Sequence, residues 1–139
     1  MFKLGLMALV ALLAIPCAAR AADVTGLWHT AEADGEILIT RCGDSICGHA
    51  VTSAQLKANP AALDEKNPNP ALRARPLKGL LILQGFQPAG DGWAGGAFYD
   101  PRSGMTYKGS VDPAGPDRIK VTGCVIVPIC SSRYWTRVK

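Results

Sequence analysis

A chain of 139 residues with 48% hydrophobic and 19% charged residues has the length and composition of one folded domain, which excludes a multidomain assembly and a disordered polymer. Its formal net charge of +4 is too small for the basic stripe that a nucleic-acid surface requires. In chain order, the first feature is an export signal. Met1-Phe2-Lys3 is a short basic start, Leu4 to Ile15 is an apolar run, and Ala19-Arg20-Ala21 has the small-x-small form of a cleavage site. A membrane-spanning helix needs roughly 20 apolar residues, and the run stops short of that. Cleavage near Ala21 leaves a single domain from Ala22 to Lys139, 139 − 21 = 118 residues, with the charge lowered to 4 − 2 = +2 by loss of Lys3 and Arg20. A lipoprotein signal through Cys17 is the alternative, but Ala14-Ile15-Pro16 lacks the small residue such signals place before the cysteine. The mature protein is expected in the periplasm or outside the cell, without a transmembrane segment.

From Val24 onward, short β-prone runs alternate with glycine, proline and aspartate turns, and helical spacing is scarce. Eight strands are predicted: Thr25 to Ala31, Glu36 to Cys42, Cys47 to Thr52, Gly79 to Phe86, Trp93 to Tyr99, Met105 to Val111, Arg118 to Thr122 and Ser132 to Val138. Most connections are hairpin-sized, such as Asp34-Gly35, Gly90-Asp91-Gly92 and Pro101-Arg102-Ser103-Gly104. The fold class is all-β, a small antiparallel up-and-down meander whose eight strands close into a barrel. Closure removes exposed edges, and a barrel of this size is filled by side chains or holds one small ligand.

Residues 53–78 interrupt the pattern. Ser53 caps a short predicted helix over residues 54–58, while Pro60, Pro68, Pro70 and Pro76 forbid strand alternation. An insertion of this length in a small domain is functional or mobile. The next strand, Leu80-Leu81-Ile82-Leu83, is apolar on both faces, so the insertion is expected to fold over its outer face or over an adjacent barrel end.

The mature chain keeps an even set of cysteines, Cys42, Cys47, Cys124 and Cys130, which in an exported protein points to disulfides. Of the three possible pairings, Cys42 with Cys47 and Cys124 with Cys130 are favoured, because each pair brackets a hairpin end and facing strand positions bring sulfurs within range. A four-thiolate zinc site is the alternative, and an oxidising compartment argues against it. No Cys-x-x-Cys supports thioredoxin-type chemistry.

Gly26-Leu27-Trp28 resembles the Gly-x-Trp of lipocalin-type barrels, in which the Trp plugs one barrel end and an Arg from the last strand packs across it. Arg133 and Arg137 flank Trp135 at the right place, and Gly26, Trp28 and Arg137 are the expected plug. Over nearly the whole mature length the chain resembles the bacterial exported family known as domain of unknown function 2147. The resemblance runs through Arg41-Cys42-Gly43-Asp44, Cys47-Gly48, Lys66-Asn67-Pro68, Pro70-Ala71-Leu72-Arg73, Arg75-Pro76-Leu77, Gly90-Asp91-Gly92-Trp93, Tyr99-Asp100-Pro101, Thr106-Tyr107 and Gly123-Cys124 to Cys130. It implies a lipocalin-like barrel, exported, able to bind a small molecule, with no established activity. The chain departs from the family pattern at Asn69, where an acidic residue is common, and at Val125 to Ile129, which is more apolar.

Catalytic constellations do not assemble. Gly43-Asp44-Ser45-Ile46 has the look of an esterase nucleophile block, but the only histidines are His29 and His49, with none in the C-terminal half to act as base. Two histidines without a third ligand do not define a zinc site. No enzyme activity, metal or cofactor is expected.

The densest polar cluster, Asp64, Lys66, Asn67, Asn69, Arg73 and Arg75, lies on the insertion. Its guanidinium forks suit a carboxylate or phosphate, or else Asp64 or Asp100 pairs with Arg73 or Arg75 and simply fixes the loop. Strict alternation places Trp93, Gly95, Ala97 and Tyr99 on one face and Ala94, Gly96 and Phe98 on the other. The candidate ligand-binding residues are Asp64, Asn67, Arg73, Arg75, Trp93, Tyr99, Asp100 and Tyr107. The sequence thus reads as an exported binding module for a small, partly apolar ligand, neutral or anionic, inside or at the mouth of a barrel. The alternative is a solid barrel without a small-molecule ligand that recognises a protein partner through residues 53–78 and the adjacent turns around Asp100 and Gly104.

Overall fold

The computed structural model describes residues 11–17 and 19–139. Of the predicted export signal, positions 1–10 and 18 lie outside the described residues, and positions 11–17 with 19–20 are exposed and without regular structure. The eight strands are β1 (Gly26–Thr30), β2 (Gly35–Cys42), β3 (Ser45–Thr52), β4 (Leu81–Ala89), β5 (Gly92–Asp100), β6 (Met105–Pro113), β7 (Arg118–Ile126) and β8 (Ile129–Arg137). Each pairs antiparallel with the next, and β8 returns to β1 through Trp28↔Arg137 and His29↔Thr136 to close the barrel. One short helix, α1 (Ala54–Ala58), opens the insertion, and the Ser53 side chain caps it by accepting from the Leu56 N–H. Among the described residues, no helix is long and apolar enough to cross a membrane.

Up-and-down connectivity sorts the turns between two ends. At one end lie the β2–β3, β4–β5 and β6–β7 turns together with the chain entry at Val24. This end is plugged. Trp28 donates its indole N–H to the Val24 carbonyl at 2.9 Å, and the Arg137 guanidinium lies 4.3 Å from the Trp28 ring while donating to the Thr25 carbonyl. Gly26 has a φ of +128°, and a Cβ there would sit 2.6 Å from an Arg137 nitrogen, so only glycine lets the arginine cross. Trp93 fills the same end beneath Arg41, and its indole N–H donates to the Ala22 carbonyl. Around them pack Ile39, Ile46, Phe86, Val111 and Ile119, all buried.

At the other end lie the β1–β2, β5–β6 and β7–β8 turns and the whole insertion. The insertion lies over a barrel end, and part of it also covers the outer face of β5 at Tyr99. Leu56 and Leu77 are buried and join the core, so this segment roofs part of the barrel. The two disulfides mark opposite ends. Cys42–Cys47 ties the β2–β3 hairpin at the plugged end, and Cys124–Cys130 ties β7 to β8 at the other.

The structure corrects three details. β4 runs on to Ala89, because the left-handed Gly85 (φ +73°) is absorbed as an irregularity and pairing with β5 resumes at Gln87↔Ala94. β7 and β8 extend to Ile126 and back from Ile129, so residues 125–129 are mostly strand rather than loop. In β5 a bulge at Gly95 (φ +75°) breaks the alternation. Trp93 therefore faces the core opposite Val111 while Tyr99 faces out toward the insertion, and Phe98 takes the inner face with Tyr107.

Candidate functional site

The lower half of the barrel is filled by the plug, but the upper half is hollow. A cavity of about 470 Å³ opens between the insertion and the β1–β2, β5–β6 and β7–β8 turns. Its wall is made by Ile37, Ala50, Ile82, Phe98, Val121 and Trp135 from six strands, with Leu56 and Leu77 contributed from above by the insertion. Phe98 holds the floor by stacking on Tyr107 and meeting Trp135 edge-on, each at 6.2 Å between centroids. The volume falls within the range of small-molecule pockets, about 300–1,000 Å³.

The rim is polar and mixed in charge. Glu32, Asp34, Asp100, Arg102 and Arg133 all border the opening. Arg102 is fully engaged: it grips both Asp100 carboxylate oxygens at 3.0 Å and donates to the Glu32 carbonyl, and the Asp100 hydrogen bonds push its pKa above the usual guanidinium value. Asp34 is tied to Lys57 of α1 at 2.9 Å, which holds its carboxyl below the ordinary aspartate value. Arg133 pairs less closely with its acid. Its Nε lies 3.4 Å from Glu32, its Nη1 donates to the Ser131 hydroxyl at 2.8 Å and to the Ser132 carbonyl at 3.0 Å, its side chain is 56% exposed, and it stands on the inner face of β8 opposite Val121.

The insertion's polar cluster is organised around Asp64, whose side chain is fully buried. It accepts hydrogen bonds from the Tyr99 hydroxyl at 2.5 Å, the Asn67 amide at 2.9 Å and Arg75 Nε at 2.9 Å. Arg75 also lies over the Tyr99 ring, and Arg73 donates to the Asn67 carbonyl. Burial first, then the Asp64 hydrogen bond, pushes the Tyr99 hydroxyl up to about 12. These groups fasten the insertion to β5 on the outside of the barrel.

Of the sequence-derived candidates, Asp100 and Tyr107 therefore line the cavity, while Asp64, Asn67, Arg73, Arg75 and Tyr99 form the fastening and Trp93 sits in the plugged end. Arg133 was not among them, yet alternation counted back from the plug arginine, 137, 135, 133, places it inside. His29 and His49 lie on strand positions that alternate with the inward Trp28 and Gly48, and no group of three His, Cys, Asp or Glu among the described residues is arranged to hold a metal.

Comparison with known proteins agrees with this architecture. The family described as uncharacterized protein conserved in bacteria (DUF2147) matches residues 26–137, and the chain belongs to it. Among solved structures it is similar to protein HP1028 from the human pathogen Helicobacter pylori, a member of the lipocalin family, with a TM-score of 0.76 at 21% identity over 86% of this chain and 85% of that one. At that identity the likeness establishes a lipocalin-like fold. No curated protein matches the chain.

Proposed function

We propose that this protein is an exported binding module for a small amphipathic ligand with an apolar body and an anionic head. The observation that carries the reading is the cavity of about 470 Å³, apolar within and bordered by Arg133, whose contact with Glu32 is long at 3.4 Å. Burial of an acyl or similarly apolar body against Ile37, Ile82, Phe98, Val121 and Trp135 supplies affinity, roughly 25 cal/mol per Å² before the costs of association. Arg133 supplies orientation. A ligand carboxylate takes the place of Glu32 on a guanidinium that already faces the cavity, forming the short charge-assisted contact that Glu32 does not make. The disulfides fit an oxidising compartment, and the apolar run before Ala19-Arg20-Ala21 is read as the signal that takes the chain there.

The test is titration of the exported protein with a fluorescent fatty acid, read through Trp135. Ala50→Phe, which places a ring in the cavity, abolishes binding. Arg133→Gln weakens the carboxylate probe about tenfold while leaving its methyl ester little changed. Equal binding by wild type and Ala50→Phe would contradict the proposal.

A further inference from the structure

Beyond the cavity, the hairpin of β7 and β8 runs past the rest of the wall. Pairing between β6 and β7 reaches only Lys108↔Cys124, and β1 holds β8 only at residues 136 and 137. Val125, Ile126, Val127, Pro128 and Ile129 therefore form a free-standing finger at the mouth, without a single polar side chain. Val127 is 83% exposed, and Val125, Ile126 and Ile129 are each more than half exposed. The Cys124–Cys130 disulfide closes the base of the finger, and the pair immediately below it, Gly123 and Ser131, lines the cavity.

A contiguous exposed aliphatic run of this kind marks an interaction surface. Its shape and chemistry select the partner. Protein interfaces depend on aromatic and arginine anchors seated in pockets and on about 800 Å² per partner, whereas this finger is narrow, convex and purely aliphatic. The acyl region of a bilayer accepts such a tip without shape complementarity, provided few backbone groups are left unpaired. In the finger Ile126 and Ile129 pair across the hairpin and Pro128 has no N–H to satisfy, while the outer-edge groups of so short a tip stay within reach of the hydrated head-group layer. A cation stands where phosphates would lie: Lys108, exposed beside the disulfide on the outer face.

We propose that residues 125–129 dock the protein on a lipid bilayer, with the aliphatic tip among the acyl chains and Lys108 at the head groups, so that the cavity mouth lies against the membrane surface. This surface does not depend on occupancy of the cavity. The test is flotation of the exported protein, its N-terminus verified by mass spectrometry, with vesicles of phosphatidylethanolamine and phosphatidylglycerol. Wild type and Ala50→Phe float alike, and Lys108→Gln floats less than wild type at low salt, the gap closing as salt is raised. Val127→Asp lowers the floated fraction at an equivalent lipid concentration by at least about tenfold with unchanged circular dichroism, and Val127→Ser lowers it by a smaller factor. Absence of wild-type flotation, or equal flotation of Val127→Asp, would overturn the proposal. So would finger-dependent self-association in a protein that ignores vesicles, since a second copy would then be the occupant.

Discussion

Asp64 and Tyr99 show how a single buried carboxylate holds an insertion to a barrel. The carboxylate is fully buried, and its three donors come from Asn67, Arg75 and Tyr99. Because the folded state raises the Tyr99 pKa from 10.0 to about 12, the folded form holds this proton more tightly than the unfolded chain. The associated stability is present in full below pH 10 and is lost as pH rises from there through 12, amounting to roughly 2–3 kcal/mol. Tyr99→Phe should cost about 1–3 kcal/mol at neutral pH by removing a donor from buried Asp64. Urea unfolding of both proteins from pH 8 to 12 should show the gap between them narrowing with alkalinity; parallel profiles would contradict this role. An Asp64–Arg75 pair was among the readings available from the sequence. The participation of Tyr99 was not, because Gly95 supplies no side chain whose pattern would reveal that it is a bulge and turns the following residues over.

At the scale of elements, all eight strands were legible from alternation and turn residues, whereas their ends were set by pairing partners. β4 extends through Pro88 because Trp93 lies opposite, and β8 begins at Ile129 because Ile126 faces it. The insertion shows a similar division. Its prolines announce irregular structure, but its position depends on contacts distant in sequence. Lys57 reaches the β1–β2 turn at Asp34, while Lys66 donates to the Arg102 carbonyl in the β5–β6 turn. Gly104 completes this second fastening, with a φ of +75° and a Cα packed against the Lys66 carbonyl, leaving no space for a Cβ. Gly104→Ala should therefore destabilise the fold by about 1–3 kcal/mol. Amide exchange should accelerate most at Asp64, Asn67 and Leu77, whose N–H groups bond within the insertion. Uniform acceleration around the barrel would show that the strap is not a separate unit.

For the whole molecule, a filled half supports a hollow half. Trp28, Trp93, Arg41 and Arg137 use the large side chains to seal one end, leaving the mouth to smaller or recessed ones such as Ala50, Gly123 and Ser131. The Gly-x-Trp and the terminal arginine made the plug legible. The cavity was not, because its volume is what remains after the bulges in β4 and β5 and the placement of Leu56 and Leu77 have been decided in three dimensions. The most direct test is native mass spectrometry of the protein recovered from the cells that export it. The expected species is a chain beginning at Ala22, with two disulfides, carrying one amphipathic molecule that Ala50→Phe lacks. Ligand-free protein in both forms, or an adduct retained unchanged by Ala50→Phe, would contradict the claim that the upper half of this barrel is a binding site.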